Sequence, residues 1–444
     1  QKVTGSSANG QANGRFWYVA SPTSAATSSA FDAAGANIVK HYNENTFSWS
    51  EINDNNTPLV VGKGYYVRPT ATTTLNFTGG QLNNGSYTSN LTRTGTTNSF
   101  RGYNLVSNPY PSYLDWNGVN RTNVATTMWY RTANQAGTAV FDTYNADAGI
   151  GTNVNQQGAV TRYIPPMQSY WVFVTTNNPT GSISYDNQQR SHFQSGIQGL
   201  KSTAQDFPMF LRLNVHQGSF SDQIVVFMKP EASSNFDVFD SEKMFLSGVP
   251  QLYTKVSNKK LVINGMKNNK KHVRIPLVLD IPSAGYYHFS AEEFNTEDGL
   301  ILLEDVQEGV VQDLTQNQTY AFFINTAGTI QDRFFLIYNQ PNVLIGAQGP
   351  SSSWVEAEST SNEGGQILVS SNGRGEVMVS QDFDLTEKSI GTIQITDATG
   401  KTVYDVTFSG ASYKTQLEGL TAGIYFVKVE IEGKTEIKKI FVQP

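Results

Sequence analysis

The sequence contains no cysteine, and charged residues make up only 15% of it. The missing cysteines exclude a disulfide scaffold, a cysteine-ligated zinc site, an iron–sulfur cluster and a thiol nucleophile. The 31 basic and 37 acidic residues leave a net charge of −6, which argues against nonspecific binding to nucleic acid. No run approaches the roughly 18 consecutive apolar residues of a membrane helix. We therefore expect a protein without a membrane-spanning helix and without nucleic-acid partners.

Recognisable catalytic motifs are also missing. The five histidines form no H-E-x-x-H pattern and no G-x-S-x-G elbow occurs, although His, Ser and Asp side chains far apart in sequence can still converge in space. The residues from Gln1 onward lack the basic start and apolar run of a signal peptide, so the chain either follows a removed leader or is part of a longer protein. We expect a non-enzymatic protein without a cofactor.

Aromatic residues and glycine are frequent instead, at 12% of the chain and 38 residues respectively. Low charge together with many aromatic and turn-forming residues is typical of exported all-β proteins and not of disordered chains. Helical periodicity is nearly absent, and only residues 31–40 could hold a single helical turn. At about 150 residues per domain, the length of 444 residues suggests roughly three domains.

Residues 1–200 form an aromatic-rich β region that predicts two related repeats, at about 1–98 and 99–200. Three sequence blocks of the first repeat recur in the same order in the second: RFWYVASPTS with GYNLVSNPYPS, IVKHYNENTFSWSEI with TMWYRTANQAGTAVFDTYN, and LVVGKGYYVRP with YIPPMQSYWVFV. Each block contains short strands between Gly, Asn and Pro turns. Because neighbouring strand residues point to opposite faces, we expect one side chain of each adjacent aromatic pair, such as Trp129 and Tyr130, to be buried.

Residues 201–341 predict a further β-sandwich or jelly-roll domain, so that the architecture is one of tandem sandwich-like units. The alternation in MFLRLNVH, residues 209–216, is typical of a half-buried strand, and further strand-like segments follow. A small, polar stretch at 195–206 marks the boundary in front of this domain. Residues 342–365, rich in Gly, Pro, Ser and Glu, predict a linker behind it.

The last segment, residues 366–444, predicts two strong hairpins, GTIQITDATGKTVYDVTF and GIYFVKVEIEGKTEIKKIFVQP. It closely resembles the type A C-terminal sorting domain of the Bacteroidetes type IX secretion system, through IQITDATGKTVYD, LEGLTAGIYFVKVE and KIFVQ. Members of that family commonly open with a Pro-Asn-Pro turn, whereas this segment opens with QILVSSNGRGEVMVSQ, so its first strand can differ. The resemblance implies a small Ig-like β-sandwich.

The resemblance also implies a sorting signal and partners that read it. The implied signal residues are Gly400, Lys401, Gly423, Tyr425, Lys438, Lys439, Ile440, Phe441 and Val442. Lys438 and Lys439 are candidates for contact with an acidic surface, and the alternative is that they are edge charges that discourage aggregation. The implied partners are a PorV-type outer-membrane shuttle barrel, the type IX translocon barrel, and a sortase or attachment complex that can link the product to surface lipopolysaccharide. The implied location is the cell surface or the extracellular space.

The first 340 residues more loosely resemble β domains that precede such sorting domains in large flavobacterial surface proteins. The matching text is SNPYPSYLDWN, TMWYRT and YIPPMQSYWV. We expect a surface adhesin or accessory protein, with a gliding-associated role as one form. The alternative is a glycan-binding or glycan-active module.

Tryptophan is concentrated in the first 200 residues. Exposed aromatic rings stack on sugars, which makes Trp49 and Trp116 candidates for a glycan platform. The competing and favoured interpretation is a sandwich core, since buried aromatic side chains dominate such packing.

The run DTYNADAGIG offers one weak metal candidate. Asp142, Asn145 and Asp147 precede a turn glycine and could bind calcium through oxygen atoms. Their spacing does not match an EF-hand loop, and a polar turn is the alternative.

Overall fold

The computed structural model describes residues 2–3, 16–34, 38–97, 99–134, 138–192, 207–267, 272–296, 299–339, 367–371, 376–381, 390–397, 399–409, 412–416, 423–431 and 434–442. Strands dominate these residues, and helix occurs among them only as three 3-10 segments, Ser28–Ala34, Trp116–Gly118 and Asn187–Gln189. The all-β prediction is confirmed. The described residues include no helix with the length and hydropathy of a membrane span. The predicted boundary stretch at 195–206 and the predicted linker at 342–365 lie outside the described residues.

The first repeat contributes seven strands: β1 Lys2–Val3, β2 Trp17–Val19, β3 Ile38–Asn43, β4 Ser48–Glu51, β5 Tyr65–Arg68, β6 Thr73–Thr74 and β7 Tyr87–Thr92. The second repeat contributes ten: β8 Tyr103–Ser107, β9 Tyr113–Asp115, β10 Asn120–Thr122, β11 Thr127–Ala133, β12 Ala139–Asn145, β13 Ile150–Gly151, β14 Tyr163–Ile164, β15 Ser169–Phe173, β16 Thr180–Tyr185 and β17 Arg190–Ser191. Strand β7 pairs with β16, so the two regions share a sheet of order β10-β16-β7.

The main sheets of the two repeats have the same strand order. The first runs β2-β5-β3-β4 and the second runs β8-β15-β11-β12, with β13 beyond β12. The matched sequence blocks therefore occupy equivalent strands in the two sheets. The sheets also join at an edge, where the Gly64 N–H donates to the Leu105 carbonyl at 3.2 Å.

The main sheet of the second repeat is a middle layer. On one face Tyr130 packs into the core beneath β7, β10 and β16. On the other face Trp129 and Trp171 pack against Tyr18 of the first repeat. Both members of the Trp129–Tyr130 pair are consequently buried, at 2% and 4% exposure, where alternation predicted one.

The described strands between residues 207 and 339 form one sheet. Its strands are β18 Phe210–Gln217, β19 Phe220–Lys229, β20 Ser241–Glu242, β21 Gln251–Val256, β22 Lys259–Lys267, β23 His272–Ile281, β24 Gly285–Asn295, β25 Leu300–Asp305, β26 Val310–Asp313, β27 Thr319–Ile324 and β28 Gly328–Asn339. The order is β26-β25-β28-β23-β21-β22-β19-β18-β24-β27, with β20 on β22. The sheet curls around a single apolar core, since Leu213, Leu277, Phe289 and Phe334 all belong to one buried cluster. This is the predicted sandwich-like packing.

The second face of this sheet is covered by the second repeat. Ala148 and Ile150 pack against Phe227 and its neighbours, and Arg212 Nη1 donates to the Gly151 carbonyl at 2.6 Å. Strand β18 was predicted to be half-buried, but Arg212 on its polar face is only 4% exposed. The prediction was wrong because the covering strands lie far away in sequence. The described residues between 16 and 339 are thus packed against one another, and we refer to them as the body.

The C-terminal residues form two further sheets. The strands are β29 Ile367–Ser371, β30 Glu376–Gln381, β31 Ile390–Asp397, β32 Thr402–Ser409, β33 Ser412–Gln416, β34 Gly423–Ile431 and β35 Lys434–Val442. One sheet has the order β29-β30-β33 and the other β32-β31-β34-β35. This agrees with the predicted small sandwich.

Candidate functional site

The four-stranded C-terminal sheet has one face committed to a core. Ile393 lies opposite Val429, and Ile395 lies opposite Val427, in the antiparallel register of β31 and β34. All four side chains are fully buried. Because side chains alternate along a strand, the residues between them form an outer face that is free to meet another molecule.

The turn between β31 and β32 presents two of the predicted signal residues. The Asp397 carboxylate accepts hydrogen bonds from the backbone N–H groups of Thr399 and Lys401, at 2.9 and 3.0 Å. The side-chain hydrogen bond from Thr399 is the main cause that lowers the pKa of Asp397. Gly400 has a φ of 87°, a left-handed conformation that favours glycine. The turn is therefore locally fixed, and it leaves Lys401 exposed.

Tyr425 does not lie on the accessible surface. It is 5% exposed and packs in the domain core with Val427. Tyr425 is one of the implied signal residues, and its side chain is directed into the core because Tyr425 and Val427 share the inward phase of β34. Gly423, the other signal residue of this strand, begins β34 opposite Val442.

The closing segment forms the edge strand β35 of this sheet. Its register is continuous, with Lys438 opposite Val427, Lys439 opposite Phe426, and then Ile440, Phe441 and Val442 opposite Tyr425, Ile424 and Gly423. Contact of Lys438 and Lys439 with an acidic surface stays a prediction.

Two large apolar side chains are exposed among the residues of the outer face whose side chains the structure describes. The exposed polar residues of that face are Thr392, Gln394, Asp405, Thr407, Glu430 and Thr435. Among them Phe426 is 39% exposed and Ile437 is 62% exposed. Lys428 lies between the two, since it follows Phe426 by two residues and stands directly opposite Ile437. The sequence motifs did not single out this pair, although Phe426 occupies the polar phase of an alternating strand.

Trp116 does not form a glycan platform, because it is fully buried. It opens a 3-10 helix after β9, its indole N–H donates to the Thr126 carbonyl at 2.7 Å, and its ring packs edge-on against Tyr170. Phe31, in the 3-10 helix of the first repeat, is buried in the same way. The favoured core interpretation therefore holds at Trp116.

Trp49 lies in an aromatic cluster between the two repeats. Its ring centroid is 5.0 Å from Tyr66, 5.5 Å from Tyr42 and 5.9 Å from Trp171. The side chain is partly exposed. Since neighbouring rings surround it on several sides, packing accounts for its position without a sugar ligand.

The Asp142 carboxylate holds neighbouring segments together through hydrogen bonds. Asp142 is fully buried, and burial raises its pKa against the effect of four hydrogen bonds. The donors are Thr132 Oγ1 at 2.7 Å, Thr152 Oγ1 at 2.9 Å, the Val154 N–H at 2.7 Å and Asn155 Nδ2 at 2.7 Å. Four donors occupy the lone pairs that a calcium ion would need.

The other two calcium candidates point to different partners. Asn145 Nδ2 donates to the carbonyl groups of Val238 and Asp240, at 3.0 and 3.2 Å, and so links the second repeat to the sheet of residues 207–339. Asp147 accepts a hydrogen bond from Thr126 at 2.5 Å. The structure does not bring the three predicted ligands together, and within the described ranges no group of three or more His, Cys, Asp or Glu side chains is placed to hold a metal ion.

Two histidines meet on neighbouring strands. His216 lies opposite His288, and their rings stack with centroids 4.6 Å apart. His216 Nε2 lies 2.8 Å from Ser290 Oγ. Burial, with a further contribution from His288, lowers the pKa of His216 to about 4.

Comparison with known proteins gives two family matches. The family described as "Domain of unknown function (DUF8693)" matches residues 6–338, and the family described as "Secretion system C-terminal sorting domain" matches residues 374–443. A comparison with curated proteins finds no match. One similar solved structure, titled "Biofilm associated protein - BSP domain", is 8% identical, with 98% of this chain and 91% of that chain covered. Its TM-score of 0.16 is too low to support an argument about fold or function.

The second match confirms the predicted sorting domain of the type IX secretion system. The chain is exported by that system to the cell surface or the extracellular space, and its last domain interacts with the secretion machinery.

Proposed function

Because the chain belongs to the family described as domain of unknown function (DUF8693) and ends in a secretion system sorting domain, we propose that it is a non-enzymatic surface adhesin or accessory protein. The observation that carries the proposal is the division of the chain. One family covers the packed β body and another covers the sorting domain behind it. The body is then the passenger and the sorting domain is its delivery signal.

The contacts inside the body support a mechanical role. Thr127 and Ser241 share a hydroxyl hydrogen bond of 2.8 Å, and the Trp129 indole N–H donates to the Glu242 carbonyl at 2.9 Å. Both bonds join the second repeat to the following sheet. A passenger stiffened in this way can hold a binding surface at a fixed distance and orientation from the cell.

Buried carboxylates also support a structural role for the body. Asp305 accepts two hydrogen bonds from Arg333, at 2.9 and 2.8 Å, and both side chains are buried. Burial raises the pKa of Asp240 to about 7, yet its oxygens accept backbone N–H bonds from Asp237 and Gly265. An acid–base catalyst needs its perturbed group in an accessible cleft, whereas these groups hold strands together.

The individual partners belong to the same proposal. We assign recognition of the sorting domain to a PorV-type shuttle barrel, passage to the type IX translocon barrel, and release or linkage to lipopolysaccharide to a sortase complex. A contribution to gliding is one form that the accessory role can take.

A glycan-binding passenger is the second candidate, and one observation favours it. Tyr286 and Phe323 lie opposite each other on β24 and β27, are 78% and 43% exposed, and have ring centroids 4.8 Å apart. An exposed aromatic pair offers apolar faces to a sugar ring. Loss of polysaccharide binding in Tyr286→Ala, with unchanged thermal stability, would support this candidate.

Attachment of living cells tests the adhesin proposal. A strain that lacks the protein should attach to surfaces and to other cells less well than the parent, and the full chain should restore attachment. Unchanged attachment and spreading in the deletion strain, or turnover of a polysaccharide by the purified chain, would overturn the proposal.

A further inference from the structure

We infer that the outer face of the four-stranded C-terminal sheet docks onto an apolar surface of a protein in the type IX machinery, with Phe426 and Ile437 as its anchors. The inference rests on the proposed delivery role of the sorting domain and adds the surface through which the domain is read.

The two anchor side chains lie on neighbouring strands of one sheet. Phe426 lies on β34 and Ile437 on β35, and Lys428 stands directly opposite Ile437. Phe426 and Ile437 are therefore diagonal neighbours on one sheet face, a relationship in which side chains about 7–8 Å apart can still touch a common partner. Strand alternation places both on the side away from the core formed by Val427 and Val429.

The two anchor side chains differ in character from the side chains around them. A single exposed apolar side chain is ordinary on a protein surface. Among the side chains of this face that the structure describes, the others are Thr, Gln, Asp, Glu and Lys, and two large apolar neighbours among them are not expected from solubility, because a small domain gains nothing by exposing them to water. Interfaces place such large side chains at the centre and polar residues around them.

The sorting-domain match indicates which kind of molecule binds the outer face. The sorting-domain match covers residues 374–443 and so includes both anchors, and a sorting domain acts by being bound by its secretion system. The inner face of the sheet is used by the domain core, whereas the outer face is accessible. Lys428 between the anchors has its ammonium group 3.7 Å from Glu430 and can turn to a carboxylate of the partner. We commit to a component of the export machinery as the occupant, in preference to a second copy of the chain.

The variants can be chosen to preserve the strands. Threonine is β-branched and suits a strand, so Phe426→Thr and Ile437→Thr remove apolar surface with little loss of strand preference. Val60→Thr is the matched control, because it also replaces an exposed apolar side chain, 58% exposed, but in the body and outside the sorting domain. Ile437→Leu keeps the apolar anchor and should export like the parent.

The experiment follows the full chain in its native cell, with protease added outside to measure the surface-exposed fraction. The double variant F426T/I437T should lower that fraction by about tenfold or more, as expected when anchor side chains leave a binding hot spot, while V60T and I437L remain at the parental level. Thermal melting of the purified chains should be the same within error, and all should be monomers in solution.

Three outcomes would overturn the inference. Parental export of F426T/I437T would show that Phe426 and Ile437 are not anchors, and an equal loss of export in V60T would show that the loss is not specific to the outer face of the sorting domain. A dimer of the parent that F426T/I437T converts to monomers with normal export would assign the face to a second copy. Deletion of residues 374–443 separates the two proposals: if the deletion blocks export and F426T/I437T does not, only the docking face is wrong.

Discussion

Lys243 and Asp222 form an ion pair inside the body, with Lys243 Nζ 2.6 Å from Asp222 Oδ2 and the two side chains 4% and 6% exposed. Asp222 Oδ2 also accepts the Leu252 N–H at 2.6 Å. The pair lies beside a small cavity lined by Val140 of the second repeat and Met244 of the following region. It therefore joins the segment after β20 to the sheet at the place where the second repeat docks.

We predict that Lys243→Met destabilises the protein by about 3–5 kcal/mol, because it leaves the Asp222 carboxylate buried without its partner. The double variant D222N/K243M should recover most of that loss, since the asparagine oxygen can still accept the Leu252 N–H. Denaturant unfolding at neutral pH measures both values. Equal destabilisation in the single and double variants would contradict a charge effect and would point to lost packing instead.

The stacked histidines predict a pH dependence of stability. Burial holds the pKa of His216 at about 4, below its usual value of 6.5. Between these two pH values the unfolded chain therefore binds a proton at His216 that the folded chain does not bind. The free energy of unfolding should therefore fall as pH falls from about 6.5 towards 4, and the effect should vanish above that range. The glutamine variant H216Q should lose less stability than the parent on this titration, and H192Q, at an exposed position, should behave like the parent. A parental pH profile in H216Q would contradict the assignment.

The conformation of the β31–β32 turn predicts a loss of stability when Gly400 is replaced. Gly400→Ala should destabilise the sorting domain by about 1 kcal/mol, because alanine is strained at positive φ. Gly118→Ala is the control, since a Cβ there would meet only ordinary contact with Gln189 at 3.5 Å. Hydrogen exchange of the β31 and β32 amides should report faster opening in G400A. Equal protection in G400A and the parent would show that the turn conformation is not strained by a side chain.

We expect truncation of two tryptophans to lower the free energy of unfolding by very different amounts. Trp116→Ala should destabilise the body by about 3–5 kcal/mol, because it empties a fully buried site and removes the indole N–H that donates to the Thr126 carbonyl. Trp49→Ala should cost less, because its side chain is already partly exposed. Thermal or denaturant unfolding measures the difference. A larger loss in W49A than in W116A would contradict the packing described here.

Local sequence patterns predicted much of the fold. Alternation and turn residues identified the strands, and the repeated blocks fall on equivalent strands of two sheets with one order. Alternation does not predict whether another part of the chain covers the second face of a strand. Arg212 was assigned to a solvated face, yet Gly151, far away in sequence, covers it. The same limit explains why Trp129 and Tyr130 are both buried.

The site was predictable only in part, for related reasons. Sequence motifs identified the sorting domain and its turn at Gly400, but a motif does not show which of its residues point into the core and which point to solvent. Tyr425 belongs to the motif and lies in the core, whereas Phe426 beside it is exposed. The residues around Asp142 resembled a calcium-binding loop in the sequence. The four donors that occupy the Asp142 carboxylate come close to it only when the strands are folded, so the sequence did not reveal them.

Delivery of the body by the last domain is the claim on which the account depends, and one measurement tests it most directly. Protease added to intact cells should digest the full chain, whereas a chain that ends before residue 366 should be protected behind the outer membrane. An unrelated periplasmic protein fused to residues 342–444 should in turn become accessible from outside. A truncated chain that is digested as readily as the full chain would contradict the account.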